Sequence, residues 1–191
     1  YQGVALSQQD KTDEALDTFK NGISVINEQS SPDIVSDFYS IMGDLLHEKG
    51  EKQQAFAAYD SCLQWKPDNL MCLNNYAYYL SESGGNLIKA EEMSYKTIKA
   101  EPQNATYLDT YAWILFRQER YAEAKIYINQ TLQCDSDSSA VIVEHAGDIY
   151  AKCGDIDKAV ELWTAALKKS PDNELLARKT RQRKYIRDNK K

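Results

Sequence analysis

An all-α fold built from repeated antiparallel helix pairs is what this sequence predicts, on three observations. Small residues recur at Gly43, Ala77, Ala112 and Gly147, at intervals of 34, 35 and 35. A second ladder, Ala55, Ala90, Ala124 and Ala159, runs beside it at intervals of 35, 34 and 35, and Pro67, Pro102 and Pro171 each follow one of its alanines by 12 residues. A period of this size is the signature of a repeat architecture. Composition agrees: 42% of the 191 residues are hydrophobic and 27% charged, as in a globular chain. Eight glycines and four prolines leave little material for the many tight turns of an all-β fold.

Each unit reads as two amphipathic helices. In DFYSIMGDLLHEKG, Tyr39, Met42, Gly43 and Leu46 fall on one stripe of a first helix, and in KQQAFAAYDSCLQWKP, Ala55, Tyr59 and Cys62 mark a second. The small residue of the first ladder sits where the two axes approach, since bulk there would push the pair apart. Glycine near Gly50, Gly84, Gly85 and Gly154 suits a left-handed ending of the first helix. The prolines oppose continuation of the second. The stretch NNYAYYL, residues 74 to 80, would fit a strand on its tyrosines alone. The register makes it helix, because DTYAWIL repeats its outline and places Tyr111 35 residues after Tyr76.

On these residues the chain resembles the tetratricopeptide repeat family, bacterial members included. The last unit fits best, with Val143, Ala146, Gly147, Tyr150, Ala159, Trp163, Ala166 and Pro171 at the family's positions, and four units share the register. Departures are local: Ser94 replaces the aromatic of one second helix, Ser136 takes one proline position, and extra residues lengthen SGGN and CDSDSS. The resemblance implies a right-handed superhelical solenoid of antiparallel helix pairs. Complete units are expected at residues 36–69, 70–104, 105–139 and 140–173, with a connection at 30–35 and a basic C-terminal capping helix at 174–191. A partial unit at 1–29 is marked by Gly3, Leu6, Ala15 and Phe19, so the parent protein is expected to continue upstream.

The resemblance also implies a site. In this family four positions on each first helix line a concave groove that receives an extended peptide or a helix. Carried over, they give Asp37, Ser40, Asp44 and His47, then Met71, Asn74, Tyr78 and Ser81. The last two units supply Thr106, Asp109, Trp113 and Phe116, then Val141, Glu144, Asp148 and Ala151. Five of these sixteen are acidic and none is Lys or Arg, and one sign of charge on a curved surface concentrates the opposite sign. Tyr78, Trp113 and Phe116 are amphipathic anchors of the kind enriched at interaction hot spots. The expected partner is a protein or peptide with a basic segment and an apolar or aromatic anchor. The competing reading packs these aromatics against neighbouring helices and leaves the acids as a solvated face. A clamp for a C-terminal carboxylate is not expected: Asn75 matches the family's clamp, but Ser40, Asp44, Thr106 and Thr110 stand where lysine, asparagine and arginine are needed.

The final 18 residues change character, carrying a net charge of +6 against −12 for the rest of the chain. Their plain role is a cap in which Leu175, Leu176 and Ile186 cover the last unit and the basic side chains stay in water. A further role would dock this tail into an acidic groove of a neighbouring molecule, a route to self-association, or attract it to an anionic surface. One short basic patch on an acidic body lacks the footprint of a nucleic-acid binder. No apolar run approaches the ~18 residues of a membrane span, so direct membrane insertion by these residues is not expected.

Catalysis finds little support. His47 and His145 lie in different units, and no phosphate loop or nucleophile motif is present. Glu144, His145 and Asp148 in EHAGD invite a metal reading, but a helical face often carries such groups and the set has no further ligand, so neither metal nor cofactor is expected. Cys62 reads as a core residue, a Cys62–Cys72 bridge is conceivable, and the four cysteines form neither a disulfide framework nor a zinc motif. The expected function is a non-catalytic protein-interaction scaffold within a larger protein. The alternative is a substrate-selecting repeat domain of an enzyme whose catalytic region lies upstream. The style of the repeats points to the bacterial envelope, on a periplasmic lipoprotein, with the cytoplasm as the alternative.

Overall fold

The computed structural model describes residues 12–27, 29–135 and 137–187, so Gly3, Leu6, Ser136 and residues 188–191 of the basic tail lie outside it. Among the described residues there are ten α-helices and no strand. In order they are α1 (Thr12–Ser24), α2 (Pro32–Glu48), α3 (Lys52–Trp65), α4 (Leu70–Glu82) and α5 (Leu87–Ala100), followed by α6 (Ala105–Arg117), α7 (Tyr121–Cys134), α8 (Ala140–Lys152), α9 (Ile156–Lys169) and α10 (Glu174–Gln182). The chain forms two compact units, residues 1–76 and 77–191, with the division inside α4.

Boundary chemistry recurs with the period. Helices α3, α5 and α9 each end two residues before a proline, at Trp65, Ala100 and Lys169. Two residues beyond each proline stands an asparagine, and its side chain accepts backbone N–H groups at the start of the next helix. Asn69 accepts from Cys72 N, Asn104 from Thr106 N and Tyr107 N, and Asn173 from Leu176 N. Proline thus closes one helix and asparagine opens the next. After α7, Ser139 caps α8 instead, accepting from Ile142 N. The first helix of each pair ends left-handed: Gly50, Gly84 and Gly154 have φ of 80°, 70° and 87°, and Glu119 holds the same place in the third pair at φ 64°.

In the first unit α2 packs on both α1 and α3. Ala15, Leu16 and Phe19 are buried, and Phe19 meets Phe38 edge to face at 5.5 Å. Tyr59 is fully buried, stacked on Tyr76 at 5.3 Å, with its face on Gly43. A Cβ at Gly43 would lie 2.7 Å from Tyr59 Cδ1, which is why the position is glycine. Cys62 and Cys72 are buried free thiols: Cys62 Sγ lies 3.2 Å from Ser36 Oγ, and Cys72 donates to Tyr59 O.

In the second unit each helix from α5 to α10 packs on the next, and α6 also meets α8, so first helices of successive pairs touch. Leu108, Leu115, Ile128, Ile149, Trp163 and Leu176 are among the fully buried side chains. Trp163 lies on Gly147 as Tyr59 lies on Gly43, and a Cβ there would come within 2.5 Å of Trp163 Nε1. The middle pairs have alanine at the first ladder, Ala77 and Ala112, with Ser94 and Ile128 at the ring position. Glycine appears where the second helix presents a ring, and alanine where it does not.

Candidate functional site

The groove positions fall in both units. In the first, Asp37 is exposed and accepts from Asn69 Nδ2 at 3.1 Å. Asp44 accepts from Tyr59 Oη at 2.5 Å and from Asn75 Nδ2 at 3.1 Å; burial pushes its carboxyl up, against these two hydrogen bonds. His47 is half-buried near the end of α2, and Asn74 is buried and donates to Asn75 Oδ1. Asp37 and Asp44 therefore tie α2 to the cap and the middle of α4.

In the second unit the groove positions converge on Trp113. Its ring stacks on His145 at 3.9 Å with 15° between planes, and on Phe116 at 4.7 Å with 12°. Its Nε1 donates to Glu82 Oε1 at 2.8 Å, and Arg117 donates to the same oxygen at 2.7 Å. His145 Nδ1 faces both carboxylate oxygens of Asp109, at 3.0 and 3.1 Å, with both side chains buried. Tyr78 lies 6.2 Å from His145, and burial lifts its phenol well above the usual range. Trp113 is only 7% exposed, so it forms the floor of the site and is no free-standing anchor.

Glu144 and Asp148 converge on Lys179 of the capping helix. Lys179 Nζ lies 2.7 Å from Glu144 Oε1 and 2.7 Å from Asp148 Oδ2, and Trp163 Nε1 donates to Asp148 Oδ1 at 2.9 Å. Burial raises the Asp148 carboxyl to about 6 against the pull of Lys179. Burial works against the Lys179 charge, but Asp148 and Glu144 outweigh it and hold the ammonium above its ordinary range. The expectation that the basic side chains of the cap stay in water fails at Lys179, which is 2% exposed. The reason is positional: α10 takes the place of a further first helix, so the residue 35 beyond Glu144 points into the stack. The other half of the expectation holds at Leu176, which is fully buried. Glu144, His145 and Asp148 do not face a common point, since His145 turns to Asp109 while Asp148 turns to Lys179.

Above the Trp113 floor lies an open cavity of about 490 Å³. Glu82, Trp113 and Arg117 line one side and Val141, Glu144, His145 and Asp148 another; Asn173, Leu175, Lys179, Tyr185, Ile186 and Arg187 of the C-terminal segment complete it. Glu82, Arg117, Lys179 and Tyr185 were not among the residues read from sequence. A signal for three of them was present. Arg117–Glu82 and Lys179–Glu144 are each separated by 35 residues, and Trp113–Glu82, Lys179–Asp148 and Asn75–Asp44 by 31. The repeat period that places small residues also spaces polar partners on successive first helices.

Repeated helix pairs of this geometry define a class of repeat protein that serves generally as a protein-interaction scaffold and is typically non-catalytic. The fold is that of tetratricopeptide repeat proteins. The family model for the tetratricopeptide repeat matches residues 36–69. A curated relative, the TPR repeat-containing protein PA4667 of Pseudomonas aeruginosa, is 34% identical over 83 residues, 44% of this chain. The match spans 14% of that relative's length. Among solved structures, a tetratricopeptide repeat protein from Parabacteroides merdae shares the fold with a TM-score of 0.73 at 15% identity, covering 95% of this chain and 69% of that one. YrrB, described as a TPR protein with an unusual peptide-binding site, does so with a TM-score of 0.67 at 17% identity, covering 94% and 88%. No helix among the described residues is long and apolar enough to cross a membrane.

Proposed function

We propose that this chain is a non-catalytic interaction module whose second compact unit receives a peptide or helix along the face formed by Tyr78, Asp109, Trp113, Phe116, Glu144 and Asp148. The ligand is basic and carries an apolar or aromatic anchor. The observation that carries this reading is the cavity above Trp113, where Val141, 50% exposed, shares the lining with three carboxylates, Glu82, Glu144 and Asp148, that have two helix cations, Arg117 and Lys179, to pair with. An apolar contact next to anions fits a ligand that pairs a hydrophobic side chain with Lys or Arg. Trp113 and His145 contribute a rigid floor, and Val141 contributes the accessible contact. The peptide-binding description of YrrB supports the reading for this repeat class. Within the first unit, Asp37, Asp44, His47 and Asn74 are proposed as contacts of the same kind.

The test is fluorescence anisotropy with short synthetic peptides that flank Tyr or Leu with Lys and Arg, against versions with Asp and Glu in place of the basic residues. The basic peptides should bind, and Val141→Lys, which removes the apolar contact and adds a like charge on an exposed helix position, should weaken them at least about tenfold. Equal binding of the acidic peptides, or full retention by Val141→Lys, would overturn the reading.

A further inference from the structure

Residues 183–187, which follow the capping helix, turn back toward the fold. Arg183 adopts the left-handed conformation, φ 52°, and its N–H and that of Lys184 bond back to Thr180 O and Lys179 O. This is the double closure that reverses a chain at a helix end, and it is made here without glycine. Reversal carries Tyr185 onto the groove: its ring meets Phe116 edge to face at 5.5 Å, with Lys152 Nζ 4.9 Å and Lys179 Nζ 5.6 Å from its centroid. Burial raises the Tyr185 phenol, and Ile186 and Arg187 line the cavity shared by Glu82, Trp113 and Glu144. The charges of that lining also count. Its carboxylates are Glu82, Glu144 and Asp148, and its cations Arg117, Lys179 and Arg187, so the two balance only when Arg187 is included.

We propose that residues Tyr185–Arg187, delivered by the left-handed turn at Arg183, whose own guanidinium pairs with the exposed Asp157 of α9, are a built-in occupant of the groove, held in cis, which a partner of the same chemistry displaces. The inference rests on the groove reading above and narrows it: the tail brings a Tyr-Ile anchor and the basic Arg187 to the cavity, the ligand class assigned to it. A short tether holds such a segment at an effective concentration in the millimolar range, so a peptide arriving in trans binds only by outcompeting it. Groove occupancy is thereby restricted to partners that exceed the tail's own affinity.

The test uses the full chain with Tyr185→Ser and Ile186→Ser together, which alter no helix and no fully buried residue; circular dichroism checks the helix content. The probe is the labelled peptide RQRKYIR, the chain's own residues 181–187, titrated by anisotropy against wild type, the double variant and Tyr185→Phe, which keeps the ring. The double variant should bind the probe at least about tenfold more tightly than wild type, with Tyr185→Phe close to wild type, because a millimolar competitor has been removed. Equal affinity for all three proteins overturns the cis occupant. If wild type still binds the basic peptides through Val141, the tail is only a cap and the groove reading stands. If no basic peptide binds either protein, both readings fall.

Discussion

Replacing Lys179 with methionine tests how the capping helix is held. The Lys179 side chain is 3% exposed and so is that of Asp148, with a single Lys179 nitrogen serving Asp148 and Glu144. Methionine keeps the packing of the stem but leaves Asp148 buried with Trp163 Nε1 as its one remaining donor among the described residues. Removing one partner of a buried pair costs roughly 3–5 kcal/mol. The sign of the pH dependence is set by Asp148, whose folded pKa of about 6 lies above the ordinary aspartate value of 3.8. A carboxyl raised on folding gives stability that is complete below its unfolded pKa and is lost as pH rises through the folded value, here about 3 kcal/mol between roughly pH 4 and 6. Without Lys179 the folded pKa climbs further, so the variant's deficit should be small near pH 5, where Asp148 can take a proton, and approach its full size near pH 8. Adding Asp148→Asn removes the stranded charge while keeping an oxygen for Trp163, and should recover about 2 kcal/mol or more of the loss at pH 8. Urea unfolding followed by tryptophan fluorescence at pH 5 and 8 reads all three. A deficit that does not change with pH, or no recovery in the double variant, would refute the reasoning.

Two further predictions concern the repeat register. Gly147→Ala should destabilise by about 1–3 kcal/mol despite the ~1 kcal/mol that alanine gains over glycine within a helix, because the new methyl overlaps Trp163 and disturbs its bond to Asp148; a rise in urea midpoint would contradict the close-packing account. Glu119→Gly should stabilise by ~0.5–1 kcal/mol, since relief of a left-handed non-glycine residue exceeds the added entropy of the unfolded chain; thermal unfolding of the two proteins decides it.

The fold was legible because close helix approach must be met by small side chains and helix ends by a few residue types, and both recur with the chain's period. Gly43, Ala77, Ala112 and Gly147 carry that information directly. The site was less legible because burial depends on partners that the groove positions themselves do not contain. Asp148 reads as a solvated acid until Lys179 arrives from the cap, and Asp109 until His145 arrives from the next first helix. The tail reads as a cap until the left-handed Arg183 turns Tyr185 onto Phe116.

The placement of Trp113 follows from a trade between the two helices of a pair. In the first and last complete pairs the ring belongs to the second helix, Tyr59 or Trp163, over a glycine, and the residue after that glycine is the aspartate that accepts the ring's polar hydrogen, Asp44 or Asp148. In the middle pairs the second helix offers Ser94 or Ile128, the ladder residue is alanine, and an aromatic follows it, Tyr78 or Trp113. The ring has moved from the interior of the pair to its groove side, where it stacks on the next first helix through His145. An aromatic at such a position is therefore part of how successive pairs are joined, and Trp113 does this as the floor of a cavity that Val141, Tyr185 and Ile186 also line.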